Sequence, residues 1–132
     1  MRRPIGTILL LVVFFGAVML LPREADALKR PAPRYLVVAA VKHRAPAKGS
    51  VERRAWVICR VWGAAHCRGA LNVAWCESGL RPWARNGQYL GIWQMGSSER
   101  ARFGHGSNAW SQTRAAKAYW RLSGWRPWQC RP

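Results

Sequence analysis

Hydrophobic and polar positions divide the 132-residue chain into three regimes. From Ile5 to Leu21 an apolar run of 17 residues follows Arg2 and Arg3. From 28 to 50 no period holds: Pro31, Pro33 and Pro46 interrupt a basic stretch, and only Tyr35 to Val41 has the character of a short strand or helix. From Ser50 a helical period sets in. Val51, Ala55, Ile58 and Trp62 recur at its spacing and Gly63 ends it. A second helix is expected from about Ala65 to Cys76, with Leu71, Ala74 and Trp75 inward. Residues 79–96 hold four glycines, Pro82 and an Asn86-Gly87 turn signal, and read as an extended loop or short hairpin. Ser97 or Ser98 is placed to cap a short helix through Phe103. Asn108 is placed to cap a longer one that runs through Ala115, Ala116 and Tyr119 to Leu122 and stops at Gly124. The pattern predicts a mainly α domain with one irregular or β-like lobe.

The first two regimes are not read as folded core. A basic start, an apolar run and Ala25-Asp26-Ala27 form a signal-peptide pattern, so residues 1–27 are expected to be removed, an uncleaved membrane anchor being the alternative. Residues 28–50 are expected to be a basic, Pro-containing linker, leaving 51–132 as the domain. A domain that small gains little over its conformational entropy, which makes cross-links valuable. All four cysteines, Cys59, Cys67, Cys76 and Cys130, lie within it. An even number in a small exported chain implies disulfides. Of the three possible pairings we expect Cys59 with Cys67, clamping the turn between the first two helices, and Cys76 with Cys130, tying the chain end beside Glu77. No Cys-x2-Cys pair exists and His43, His66 and His105 are scattered, so no metal and no cofactor are expected.

Charge changes the picture further. The chain carries 22 basic and 5 acidic residues; without 1–27, which hold three arginines and two acids, 19 basic and 3 acidic residues remain, a net +16. Such a surface attracts polyanions. For an exported protein, anionic cell-wall polymers are the expected partners; nucleic acid is not, and a membrane enters only through an uncleaved signal segment. The three remaining acids are Glu52, Glu77 and Glu99. Glu52 and Glu99 fall at expected helix starts, where a carboxylate complements the dipole. Glu77 follows an apolar helix and Cys76 and precedes Ser78-Gly79, where the helix stops and a cleft opens. A carboxyl among apolar groups there has its neutral form favoured, as a general acid requires. Nine tryptophans follow residue 50. Those on helix faces, Trp56, Trp62 and Trp75, read as core. Trp83 and Trp93, in the Gly-rich loops with Asn86, Tyr89 and Gln94, are candidates for lining a groove.

In order, the chain presents Cys76-Glu77-Ser78-Gly79-Leu80, Gly91-Ile92-Trp93-Gln94-Met95, Ala116 to Tyr119, and Gly124-Trp125-Arg126-Pro127-Trp128-Gln129-Cys130. The series resembles the lysozyme-like domain of soluble lytic transglycosylases and is similar to the resuscitation-promoting factors of actinobacteria. Four weak motifs with compatible spacing are jointly more specific than any one. The chain departs from the pattern at Trp93, where a smaller apolar residue is usual, and at Trp120-Arg121-Leu122, where Asn-Ala-Gly is usual. The resemblance implies an α+β lysozyme-like fold with Glu77 as catalytic acid and Ser78, Trp83, Asn86, Tyr89, Trp93, Gln94, Met95 and Tyr119 along the substrate groove. The implied activity is cleavage of the β-1,4 bond between N-acetylmuramic acid and N-acetylglucosamine in peptidoglycan strands, by a secreted or wall-associated monomer. One acid suffices for a transglycosylase ending in 1,6-anhydromuramic acid, whereas hydrolysis ordinarily takes two carboxyls. A hydrolytic muramidase and a non-catalytic cationic wall-binding or antibacterial protein are the competing expectations.

Overall fold

The computed structural model describes residues 30–132, so the expected signal segment lies outside it. Five helices and one two-stranded hairpin follow in order: α1 (Arg34–Ala40), α2 (Val51–Trp62), α3 (Ala64–Ser78), β1 (Arg85–Asn86), β2 (Tyr89–Leu90), α4 (Ser97–Phe103) and α5 (Ala109–Ser123). Local chemistry sets the boundaries. Ser50 Oγ accepts from Arg53 N at 3.0 Å to start α2, and Gly63, at φ 77°, closes it and opens α3. Asn108 Oδ1 accepts from Ser111 N at 3.0 Å to start α5. The Asn86-Gly87 signal becomes the hairpin turn, with Arg85 opposite Leu90 and Asn86 opposite Tyr89. Leu90 also bridges Met95, which folds the next loop back on the hairpin.

Helix α2 is the central element, packed against α1, α3 and α5. Its Ala55, Val57, Ile58 and Trp62 are buried. Trp62 joins the layers: its ring lies 4.9 Å from Trp125, 5.1 Å from Trp120 and 5.4 Å from Trp93. Aromatic pairs of this kind add about 0.5–1.5 kcal/mol each beyond the area they bury. Both expected disulfides are present, Cys59–Cys67 across the α2–α3 turn and Cys76–Cys130 from the last turn of α3 to the chain end.

Two expectations are corrected. The described part of the expected linker, residues 30–50, is not simply a linker. Leu36, Ala39 and Ala40 share one side of α1 and are buried, and Ala32 N donates to Asn72 Oδ1 of α3 at 3.1 Å. Pro33 does not prevent this, because it precedes the first helical residue, where its missing N–H has no intrahelical partner to lose. Nor is Trp56 core. It is half-buried on the outer side of α2, with Nε1 donating to Lys42 O at 2.9 Å and the Arg53 and Arg60 guanidiniums over its ring.

Candidate active site

Glu77 occupies the last turn of α3. The helix stops because Gly79 is left-handed, at φ 61°, with its N–H on Trp75 O at 2.7 Å. Leu80 continues the left-handed bend at φ 60° while fully buried. A non-glycine residue there costs about 1–2 kcal/mol, met here by Leu80's burial. Glu77 is thereby left half-buried beside a hollow lined by Arg81, Trp83, Ala84, Arg85, Asn86 and Gln94. Gln94 is the other non-glycine residue with positive φ among the described residues, at 43°, and it lines the same hollow as Glu77.

The carboxyl is fixed from below. Glu77 Oε1 accepts from Cys130 N at 3.0 Å, and the neighbouring Cys76 is bonded to that same Cys130. Burial pushes the Glu77 carboxyl above its ordinary value, and the backbone N–H groups of Cys130 and Gln129 pull it partly back. The balance favours a carboxyl that is protonated to higher pH than an exposed glutamate and still has donors for its anion.

A second hollow adjoins the first, with Gln94 common to both. It is bordered by Tyr89, Met95, Glu99, Tyr119 and Trp128, among others. The two hollows meet at Gln94 and between them hold most of the residues expected along the groove. Of the residues expected along it, Trp83, Asn86 and Gln94 lie beside the acid, and Tyr89, Met95 and Tyr119 lie in the farther arm. Trp83 is 67 % exposed, with the Arg54 guanidinium 5.5 Å from its ring. Gln94 Nε2 donates to Ala84 O at 3.0 Å and Gly91 O at 2.9 Å, which braces the lip of the groove. Tyr119 does not line the Glu77 hollow; it stacks on Phe103 at 5.2 Å and tilts against Trp128.

Two expected groove residues are corrected. Trp93 is fully buried, its Nε1 donating to Thr113 Oγ1 at 3.2 Å, and it belongs to the Trp62 cluster. The loop before α4 turns inward because Gln112 Oε1 accepts Ile92 N at 2.9 Å, and this buries the indole that follows. Ser78 is also inside the protein. Its hydroxyl lies 2.8 Å from Ile92 O and 3.2 Å from Ala74 O, and Arg81 N donates to it at 3.3 Å. It joins the end of α3 to the groove loop rather than facing a ligand.

Gln112 and Thr113 were not singled out from the sequence, yet both are buried and both hold the groove loop. Gln112 Nε2 also donates to Pro82 O at 3.0 Å, so one amide fixes both sides of the loop. Close packing demands glycine at 91: at φ 86°, a Cβ there would stand 2.5 Å from Gln112 Oε1 and 2.8 Å from His105 Nε2. Register with Ala109 and Ala116 on α5 was the signal available for Gln112. Glu99 sits in the first turn of α4, as expected for a dipole partner, and also borders the far arm, where its charge adds to burial in raising the Tyr119 hydroxyl.

Among the described residues no cluster of three or more His, Cys, Asp or Glu side chains is arranged to hold a metal ion. Comparison of the chain with protein-family models, with curated proteins and with solved structures gives no match in any of the three.

Proposed function

We propose that the chain is a secreted peptidoglycan-cleaving enzyme with a lysozyme-like domain, which cuts the β-1,4 bond between N-acetylmuramic acid and N-acetylglucosamine as a lytic transglycosylase. The observation that carries this reading is Glu77: half-buried, raised in pKa by burial, anchored to the Cys130 backbone, and facing a groove hollow with no second carboxyl on its walls. In the first step protonated Glu77 gives its proton to the glycosidic oxygen as the bond from that oxygen to C1 breaks. The substrate's acetamido group shares the positive charge at C1. The Glu77 carboxylate then takes the proton of the muramic acid C6 hydroxyl, O6 closes on C1, and a 1,6-anhydro end results with no water consumed.

The groove supplies positioning. Trp83 offers an exposed ring face, and Asn86 and Gln94 offer amides at the same hollow, a combination suited to sugar rings. The raised carboxyl stores the proton until the substrate arrives, and the Cys130 and Gln129 N–H groups steady the anion between the two half-reactions. Mass spectrometry of the material released from purified peptidoglycan tests the assignment. The native protein should release muropeptides and Glu77→Gln should not; release by both would remove Glu77 from the chemistry.

One observation favours hydrolysis as the second reading. Glu99 borders the adjoining arm, so the groove as a whole has two carboxyls. A muramidase would use Glu99 to activate water or stabilise C1. Against it, Glu99 is already placed at the N-terminus of α4, its Oε2 lying against Gly96 at the helix start, and it does not line Glu77's hollow.

A further inference from the structure

We infer that a second ligand site, for the phosphate groups of an anionic polymer, lies between α2 and α5 on a face separate from the Glu77 groove. Arg60 and Val61 of α2 form one wall of a shallow hollow, and Trp110, Arg114, Lys117 and Arg121 of α5 form the other; no lining residue is shared with the groove. On α2 the basic row continues through Trp56 to Arg53.

Four of these cations, Arg53, Arg60, Arg114 and Lys117, are held in place. The Arg53 and Arg60 guanidiniums lie 4.8 and 4.9 Å from the Trp56 ring, and Arg114 lies 5.5 Å from Trp110. The two indoles meet edge to face at 6.0 Å, so the rows are one assembly. Arg60 donates to His43 O at 3.3 Å, and Lys117 donates to Val61 O at 2.6 Å. Carbonyls orient these groups without neutralising them, and no carboxylate lines the hollow. A guanidinium fixed on an aromatic face keeps its outer N–H groups for a bidentate anion and loses little freedom on binding.

The spacing favours a chain of anions over a single one. Arg114, Lys117 and Arg121 recur along α5 at roughly 4.5 and 6 Å of axial rise, a row of cations that an extended polyanion can follow. Both cysteine pairs are disulfides and none is free among the described residues, which belongs to an oxidising compartment. That favours an extracellular phosphate polymer over nucleic acid.

The test is calorimetric titration of the disulfide-bonded protein with long-chain inorganic polyphosphate at several salt concentrations. Arg114→Ser with Arg121→Ser should weaken binding by about tenfold or more and flatten the log–log salt dependence by roughly 1.4, the loss expected for two contacts to a flexible polyanion. A charge-matched control, Arg68→Ser with Arg126→Ser, should lose less than about threefold. Trp110→Ala removes no charge and should still weaken binding, because Arg114 loses its support. Thermal unfolding of each variant separates lost binding from lost fold, and Glu77→Gln should bind as the native protein does, which keeps this test apart from that of the groove. Equal loss in both arginine pairs, or no effect of Trp110→Ala, overturns the proposal. Tighter binding to single-stranded DNA of equal phosphate number would overturn it in favour of nucleic acid, and binding to phosphatidylglycerol vesicles without binding to polyphosphate would reassign the face to a membrane.

Discussion

Cys130 donates its backbone N–H to Glu77 Oε1 at 3.0 Å, and its sulfur is bonded to Cys76, the residue before that glutamate. One cysteine therefore holds the candidate acid twice, covalently through α3 and electrostatically through the carboxylate.

Removing that bond should affect stability and pH dependence together. The loop closed by Cys76–Cys130 spans 54 positions, and the chain-entropy model assigns about 4 kcal/mol to a closure of that length. Cys76→Ser with Cys130→Ser should lower the unfolding free energy by that order and loosen residues 129–131 from Glu77. Burial, the larger influence on the carboxyl, then weakens along with the smaller opposing hydrogen bonds, so the limb on which activity falls with rising pH should move to lower pH. Removing Cys59–Cys67, which spans 8 positions, should cost about 2.5 kcal/mol on the same model and leave the pH profile in place. Denaturant unfolding and pH–rate profiles of both double variants check this.

Glu77→Gln should lose turnover by about 10²–10⁴-fold while keeping the fold, because an amide preserves shape but cannot give and retake a proton. Its stability effect has a definite sign. The folded carboxyl titrates above its ordinary value, so Glu77 contributes stability that is fully present below the unfolded value and is lost as pH rises through the folded one. At neutral pH the buried anion is a burden that glutamine lacks. The melting temperature of Glu77→Gln should therefore equal or exceed the native one at neutral pH, and the difference should move in favour of the native protein below the ordinary glutamate range.

The two loop tryptophans should separate cleanly. Trp83→Ala removes an exposed ring from the groove and should raise KM with stability changed by about 0.5 kcal/mol or less. Trp93→Ala empties part of the Trp62 cluster and should cost about 3–5 kcal/mol. Melting curves with steady-state kinetics distinguish them.

Ser78→Ala should act through the groove loop. It leaves Ile92 O without its 2.8 Å donor and Arg81 N without its acceptor, at a cost of about 1–3 kcal/mol. Faster amide exchange across residues 90–95 than in the native protein should accompany the loss; unchanged exchange would show that the Gln112, Thr113 and Trp128 contacts hold the loop without Ser78.

Much of the framework was legible because it is local. Ser50 and Asn108 as caps, Gly63, Gly79 and Gly124 as stops, and the Asn86-Gly87 turn each act within a few residues, and each appears in the structure where the chain signals it. The cysteine pairing followed from the turn that Cys59 and Cys67 flank and the helix end that Cys76 marks. What was not legible depends on distant partners. Helix α1 was legible only as a short strand or helix over Tyr35 to Val41, because seven residues are too few for a period to choose between them, and only its packing on α2 reveals Leu36 as core. Trp83 and Trp93 stand in similar loops, but Gln112 and Thr113, about 20 positions on from the second, draw Trp93 inward. Glu77 could be picked out by its neighbours alone; the Cys130 N–H beneath it could not, since the donor is backbone and 53 positions away.

The most direct measurement is of the bond that forms at C1. Digestion of purified peptidoglycan in heavy-oxygen water, followed by mass spectrometry of the released fragments, should show 1,6-anhydromuramic ends carrying no label, because O6 and not water closes on C1 when Glu77 is the only carboxyl at work. Reducing ends labelled at C1 would contradict this, establishing hydrolysis and directing attention to Glu99 as a second group in the groove.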